Sequence, residues 1–572
     1  MLMYGGYKHF FKKKGEKTKY YMKKLIIFFV AIIAVFGICA SKTTRVNEKV
    51  IYELLDNKYS YTVGENSLVT NVTNDIILQV EVELEDEFEK EYQEEVDLCE
   101  KENRSSIKSF YNNKNNQLFN TLNIHAYKSY YISNYTPYIE FVYDKDIFNL
   151  NKTTILNNLE KNDKVKSVYI KESKNSQQEQ LVGSLQMARA YYDVYETRTY
   201  TGEGVVVGIL ETGIINVNDS NLINTTCYTY DEAGYTEEIT DHSTLMASFI
   251  AGENGIAPDA TILSAKYNGT PNAEIDWMLD NGVDVINMSF GEENPTGVYG
   301  FDSAYMDYIV KQYGVIIVAS VGNNGRESAL ISNPALGYNV ISLGSGGGSI
   351  TRHQFSACLV EEGPIKPTIC VDGGSVRAPD GSNFYTGTSI SAAITTGILA
   401  LIFEKYPTLK GSPERIMSLI SSSSTHNPDY YYPMFANGAD GGVGFGMLNF
   451  ENFIEHRINL NTIMNINGRT GVYIFTEDIE LEAGTTFKAS VAWTAYATGN
   501  VSQTKYTNYD LVLEDSNGNI VVQANSTNSV IETIVYEVPT SGAYKLRIKQ
   551  IGAIKKINER LAYSYGEAAL EE

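Results

Sequence analysis

The chain has 572 residues, 43% apolar and 20% charged, which excludes global disorder and leaves room for two or three domains. Its formal charge is −23, and the first 24 residues hold eight Lys against one Glu, so the remainder is more acidic still. Such a body is no nucleic-acid binder, because neutralising phosphates requires clustered Lys and Arg.

In chain order, the first feature is the uncharged run Leu25–Ser41, preceded by Lys23-Lys24 and closed by small residues at Ala40 and Ser41. Basic arm, apolar run and small-residue exit make residues 1–41 a secretory signal peptide with a long basic arm. An uncleaved anchor and lipid attachment at Cys39 are the alternatives, and all three imply export. Five cysteines are few for an exported chain of this size, so disulfides are not its main support. Cys39 falls in the signal and Cys99 in the region after it; Cys358 and Cys370 are near enough in sequence to pair, and Cys227 reads as a buried thiol.

Residues 42–180 are polar and rich in Asn and Glu, with no catalytic-looking cluster, and the acidic run Glu81–Glu95 reads as a solvated face. Near the end of this region, Tyr138–Tyr143 and Val165–Ile170 read as strands and Thr153–Lys161 as a short helix, a small α+β module. From 181 to 455 the pattern changes to continuous apolar strands (Gly204–Leu210, Asp284–Ser289, Gly314–Ser320) alternating with helices at Ser243–Ala251 and Ala273–Asn281. Strands of that kind are buried on both faces of a parallel sheet, which predicts an α/β fold with its site at the strands' carboxyl ends. After 456, Phe487, Ala489, Val491 and Trp493 alternate with less apolar neighbours, and Asn517-Gly518 separates two apolar runs as a hairpin turn. That last region, 456–572, is predicted to be an all-β sandwich.

Three segments carry the chemistry. A carboxylate ends a strand in Gly208-Ile209-Leu210-Glu211-Thr212-Gly213, a histidine opens a small-residue helix in Asp241-His242-Ser243-Thr244, and Gly387-Thr388-Ser389-Ile390-Ser391-Ala392 presents a serine at another helix start. A serine hydroxyl is a weak nucleophile that needs a base, and the base needs an orienting carboxylate. Carboxylate, His and Ser in that order suit acyl transfer.

With these residues the chain resembles the subtilisin-like serine proteases, the subtilases, across about 180–455. Gly387–Ala392 resembles the family's nucleophile box, Gly255-Ile256-Ala257-Pro258 its Gly-Val-Ala-Pro segment, Asp284–Gly291 its Val-Ile-Asn-Met-Ser-Leu-Gly strand, and Gly322-Asn323-Asn324-Gly325 its oxyanion loop. The resemblance implies a three-layer α/β/α domain with a parallel sheet, preceded by a small α+β propeptide and followed by the β-sandwich. It implies Ser389 as nucleophile, His242 as general base and then acid, Glu211 as orienting carboxylate and Asn323 as oxyanion donor beside the Ser389 N–H. Ser289, Phe290 and Gly291 would form a wall of the cleft, where a peptide adds as a strand.

The implied activity is endopeptidase action on protein or peptide substrates outside a bacterial cell, with membrane contact only through an uncleaved N-terminus. No cofactor is required for this chemistry; subtilases often carry structural Ca²⁺, but no loop here has ligand spacing, so no metal ligand is assigned. Against the family pattern, Glu211 replaces Asp, Ser243 and Leu245 replace the Gly and second His of His-Gly-Thr-His, Ser248 replaces a Gly, and Ala393 replaces a Pro. A pseudoprotease that keeps the peptide groove without turnover is therefore the alternative function. The extra methylene of Glu would overshoot by about 1.5 Å unless a bent rotamer compensates.

Overall fold

The computed structural model describes residues 42–46, 49–53, 75–84, 104–172 and 200–569, the last stretch without 231–237, 293–294, 327, 348–350, 426–433, 465, 467–469, 498–503 and 553–558. The expected signal peptide, Cys39 and Cys99 lie outside these residues. In its described parts the chain forms two compact units, one taking in the chain up to Leu84, Asn113–Ile132 and Pro137–Lys174, the other Glu85–Asn112, Ser133–Thr136 and Asn175–Glu572.

The first unit is built on six strands: β1 (Lys42–Val46), β2 (Lys49–Glu53), β3 (Asp75–Val82), β4 (Ser129–Ile132), β5 (Tyr138–Asp144) and β6 (Val165–Glu172). Their order is β1-β2-β6-β3-β5-β4, antiparallel except for the parallel pair β2–β6. The C-terminal part of α1 (Arg104–Phe119) and all of α2 (Lys145–Glu160) belong here, with Leu118, Phe148, Ile155 and Leu159 in one core with Leu78, Val80 and Phe141. Helix α2 starts eight residues before the expected Thr153, because the Asp144 side chain caps it by accepting from the N–H groups of Asp146 and Ile147. Glu81 departs from the solvated-face reading: it is fully buried, 2.9 Å from Lys166 Nζ and hydrogen-bonded by Ser167. The rest of that acidic run, from residue 85, lies outside the described residues.

The second unit contains β7 (Val206–Glu211), β8 (Cys227–Thr229), α3 (Asp241–Ala251), β9 (Thr261–Lys266), α4 (Asn272–Asp280), β10 (Val285–Met288), α5 (Phe301–Tyr313), β11 (Ile316–Ser320), β12 (Ile341–Gly347), β13 (Thr351–Arg352) and β14 (Ile369–Val371). The sheet runs β13-β12-β11-β10-β7-β9-β8, with β14 also on β12, and every pair but β12–β13 is parallel. After a short hairpin, β15 (Val376–Arg377) and β16 (Phe384–Tyr385), the apolar helix α6 (Thr388–Lys405) packs with α3 over Val207, Ile209, Ile262, Ile316 and Val318. On the other face, a Cβ on Gly208 would stand 2.7 Å from Met278 Sδ of α4, so the sheet has helices on both sides. Strands with both faces covered explain the continuous apolar runs.

Helices α7 (Pro413–Ser423) and α8 (Phe450–His456) lead into two antiparallel sheets. These strands are β17 (Asn461–Ile463), β18 (Val472–Leu481), β19 (Thr485–Ala492), β20 (Tyr509–Glu514), β21 (Ile520–Ala524), β22 (Ile531–Glu537), β23 (Gly542–Gln550) and β24 (Leu561–Ala569), ordered β17-β24-β19-β22 and β18-β23-β20-β21. The Asn517-Gly518 turn joins β20 to β21, with Gly518 at φ +82°. The alternation in β19 does not leave an exposed face: Lys488, Ser490 and Ala492 are buried as well. Helix α7 covers that side, with Ser418 Oγ donating to Ser490 O at 3.0 Å, and Lys488 Nζ donates to Ser424 O and Phe445 O at 2.5 and 2.7 Å. The architecture changes near 456, yet sandwich and α/β layers share one compact unit.

Candidate active site

Glu211 is the last residue of β7, and the chain must turn sharply after it. Gly213 permits that turn, since a Cβ there would stand 2.3 Å from Thr240 Cγ2. Thr240 caps α3 by accepting from Ser243 N–H, and Ser243 Oγ donates back to Gly213 O at 2.7 Å. The strand end carrying Glu211 and the helix start carrying His242 are thus stitched together. Glu211 is fully buried and His242 is 7% exposed. One carboxylate oxygen, Oε2, lies 3.3 Å from His242 Nδ1, while Oε1 accepts the Ser289 N–H at 2.9 Å. The longer acid does not overshoot; its two oxygens span the imidazole and the end of β10.

Ser389 occupies the first turn of α6, where backbone N–H groups have no intrahelical partner and the helix dipole favours negative charge. Its hydroxyl donates to Ser289 O at 3.0 Å, and Ser289 Oγ donates to Ser389 O at 3.0 Å. Asn287 Nδ2 donates to Ser289 Oγ at 2.9 Å, and Thr396 Oγ1 to Asn287 Oδ1 at 3.3 Å. Ser289, expected as a cleft wall, is therefore a buried hub whose N–H, C=O and hydroxyl tie Glu211 to Ser389. Phe290 is also buried, its ring centroid 4.8 Å from that of Tyr267, and Gly291 is half-buried. Burial, with Asp302 adding to it, pushes the Tyr267 hydroxyl well above its ordinary pKa.

Asn323 follows β11 on the loop Val321-Gly322-Asn323. Its Oδ1 accepts from the Thr388 N–H at 2.9 Å and from Thr388 Oγ1 at 3.0 Å. A backbone N–H can only donate, so the amide's oxygen faces Thr388 and its NH₂ end is the one turned to other partners. Sequence reasoning gives Thr388 and the main chain of Ser289 no such roles. Thr388 could have been found as the residue beside the expected nucleophile in the Gly-Thr-Ser box, whereas main-chain groups leave no trace in side-chain identity.

The departures from the family pattern have local partners. Ser243 bridges to Gly213, Ser248 Oγ donates to Thr244 O at 2.9 Å, and Ala393 is buried inside α6, where it keeps the N–H that Pro lacks. Cys227, Cys358 and Cys370 are all free thiols, so the Cys358–Cys370 pair is not bonded, and burial raises the pKa of each. Among the described residues, no three His, Cys, Asp or Glu side chains converge as a metal site.

A family profile described as the subtilase family of S8 peptidases matches residues 202–446. Subtilisin DY of Bacillus licheniformis is 31% identical over 281 residues, 45% of this chain and 94% of that protein. Subtilisin E of Bacillus subtilis is 28% identical over 255 residues, 41% of this chain and 64% of that protein. Among solved structures, fervidolysin of Fervidobacterium pennivorans, a keratinolytic enzyme related to subtilisin, matches 88% of this chain and 77% of its own at 15% identity and a TM-score of 0.45. With nearly all of subtilisin DY matched at that identity, the chain belongs to the subtilase family of serine peptidases.

Proposed function

We propose that the chain is an exported endopeptidase that cleaves peptide bonds through an acyl-enzyme on Ser389. In this reading His242 Nε2 takes the hydroxyl proton as Ser389 Oγ attacks the scissile carbonyl, then returns it to the leaving amine. Glu211 holds the imidazole by Nδ1 and stabilises the imidazolium. The tetrahedral oxyanion takes donors from Asn323 Nδ2 and the Ser389 N–H at the start of α6. The observation that carries the proposal is the buried carboxylate of Glu211, which reaches both His242 Nδ1 and the Ser289 N–H.

Residues 1–41 act as the export signal and 42–180 as a propeptide in this reading. Residues 104–112 and 133–136 support it: within the second unit, Lys108 Nζ lies 2.5 Å from Asp280, and Ser133 Oγ and Asn134 N donate to Asp276 at 3.0 and 2.6 Å. Acidic side chains of α4 thereby hold a segment far upstream of the site.

A peptide-binding pseudoprotease is the second reading. The Ser389 hydroxyl favours it, because it donates to Ser289 O and must rotate before His242 can take its proton. A fluorophosphonate probe separates the two, since covalent labelling needs an activated serine. Labelling lost in Ser389→Ala and His242→Ala variants supports the peptidase; folded protein that never labels leaves only the binder.

A further inference from the structure

Beneath the nucleophile turn lies a second histidine that the proposed mechanism does not use. His353 follows β13 and is half-buried, its ring pressed between two glycines. A Cβ on Gly347 would stand 2.7 Å from Nε2, and one on Gly374 would stand 2.3 Å from Cε1. The ring's Nδ1 lies 2.9 Å from Ser345 Oγ, and Ser345 Oγ accepts the Gly373 N–H at 3.0 Å. Gly373 O in turn accepts the Gly387 N–H at 2.9 Å, two residues before Ser389. Gly373 and Gly387 are in close contact: a Cβ on Gly373 would come within 2.3 Å of Gly387 O. Ser391 Oγ, just beyond the nucleophile, donates to Val371 O at 2.9 Å.

The hydrogen-bond directions are fixed by what each group can do. The Gly373 N–H only donates, so Ser345 Oγ accepts there; among the described residues His353 Nδ1 is the one acceptor left for the buried hydroxyl proton, which makes the ring the Nε2–H tautomer. Protonating Nδ1 turns this acceptor into a donor. Ser345 is fully buried, so its hydroxyl proton is left without its acceptor unless the contact with Gly373 rearranges.

We infer that His353 is a positioning residue that braces the Gly387–Ser389 turn through Ser345 and Gly373, and that its protonation releases the brace. The inference rests on the proposed role of Ser389. Asp372, after β14, is the charged group facing the ring from a neighbouring element, and Gly374 N donates to its carboxylate at 2.8 Å. Arg352, beside it in the chain, turns its guanidinium to the carbonyls of His353, Gln354 and Ser356. The ends of β12 and the Phe355 ring bring no charge. Burial holds the His353 pKa below the ordinary value, and Asp372 pulls the other way, so the brace is intact at neutral pH.

The test compares wild type, His353→Asn and His353→Phe. Asn places a carboxamide oxygen where Nδ1 stood and cannot be protonated there; Phe removes the acceptor. At pH 8, His353→Asn should keep activity within about twofold, while His353→Phe should lose about tenfold in kcat with KM unchanged. On the acid side, log(kcat/KM) of wild type should steepen towards a slope of about 2, and that of His353→Asn should stay near 1. Equal acid limbs, or full kcat in His353→Phe, would overturn the inference. A readout free of turnover uses Ser389→Ala protein, where the Gly387 amide resonance should titrate with the His353 ring. A Gly387 resonance blind to that titration overturns the brace even in an active peptidase. Titration in a chain that hydrolyses nothing keeps the brace and removes the peptidase reading.

Discussion

Replacing Glu211 by Gln or Asp probes the contact on which the proposed chemistry turns. The carboxylate lies 3.3 Å from His242 Nδ1. At an effective dielectric constant near 20, a unit-charge pair at that distance is worth about 5 kcal/mol to the imidazolium formed in the transition state. Losing that attraction corresponds to roughly 10³–10⁴ in rate, close to the factor of about 3 × 10⁴ for removing the carboxylate of subtilisin. Glu211→Gln keeps an acceptor for the Ser289 N–H but offers the imidazole a neutral amide that can favour the wrong tautomer, so kcat should fall by about 10⁴. Glu211→Asp retains the charge but withdraws it by about 1.5 Å, which weakens the attraction by about 1.5 kcal/mol. About a tenfold loss follows, together with lower stability, because the Ser289 N–H loses its partner in a buried position. The assay is kcat/KM on a chromogenic peptide, with folding checked by circular dichroism and thermal unfolding. A folded Glu211→Gln protein retaining more than about a tenth of wild-type kcat/KM would refute the orienting role.

Asn323→Ala should lower kcat by about 10²–10³ with little change in KM, because the oxyanion exists only in the transition state. A loss confined to KM, measured by initial rates, would make Asn323 a substrate-binding residue instead. His456, 2% exposed and hydrogen-bonded to Ser422 through Nδ1, has its pKa pushed down to about 4 by burial and then by the charge of Lys488. The folded chain thus binds fewer protons than the unfolded chain between about pH 4 and 6.5, so stability is lost as pH falls through that window, by up to about 3 kcal/mol. Chemical denaturation of His456→Phe against wild type at several pH values should show a flatter acid limb; parallel curves would remove His456 as the cause.

The α/β part was the most legible because strands covered on both faces leave continuous apolar runs, as in Val205–Leu210 and Val315–Ala319. The first 180 residues were harder to read. β3, Asp75–Val82, is embedded in Asn- and Glu-rich sequence, and α1 carries four Asn among residues of poor helix propensity. Its buried Ile107, Phe110, Tyr111 and Leu118 nevertheless follow the i, i+3, i+4, i+11 spacing of one helix face, a usable signal masked by composition. In the site, Glu211 and His242 could be named from their motifs and meet in the structure. The work of Ser289 could not be read, because its N–H and C=O belong to any residue and only the parallel register of β7 with β10 brings them to Glu211. The bracing by His353 is equally silent, since it depends on Gly347 and Gly374 lying on either side of one ring.

The departures from the family pattern bear on whether such a site can turn over, and the physical test is whether buried polar groups find partners. An unpaired buried polar group costs about 1–3 kcal/mol, so a site drifting without function accumulates such groups. Here the added oxygens of Ser243 and Ser248 are both hydrogen-bonded, and the extra reach of Glu211 ends on the Ser289 N–H. The hydroxyls of Thr212 and Ser332 are exceptions, buried without a partner, and Glu211 Oε2 is a third buried atom that makes no hydrogen bond, meeting His242 Nδ1 only as an ion-pair contact at 3.3 Å. The two hydroxyls are not among the contacts from His242 through Glu211 and Ser289 to Ser389, whereas Glu211 Oε2 is. The serine hydroxyls and one oxygen of Glu211 are therefore accommodated by hydrogen bonds, while its second oxygen offers the imidazole a nearby charge and no formed hydrogen bond. With Glu at position 211, the Ser289 N–H holds one carboxylate oxygen and leaves the other facing the imidazole at 3.3 Å.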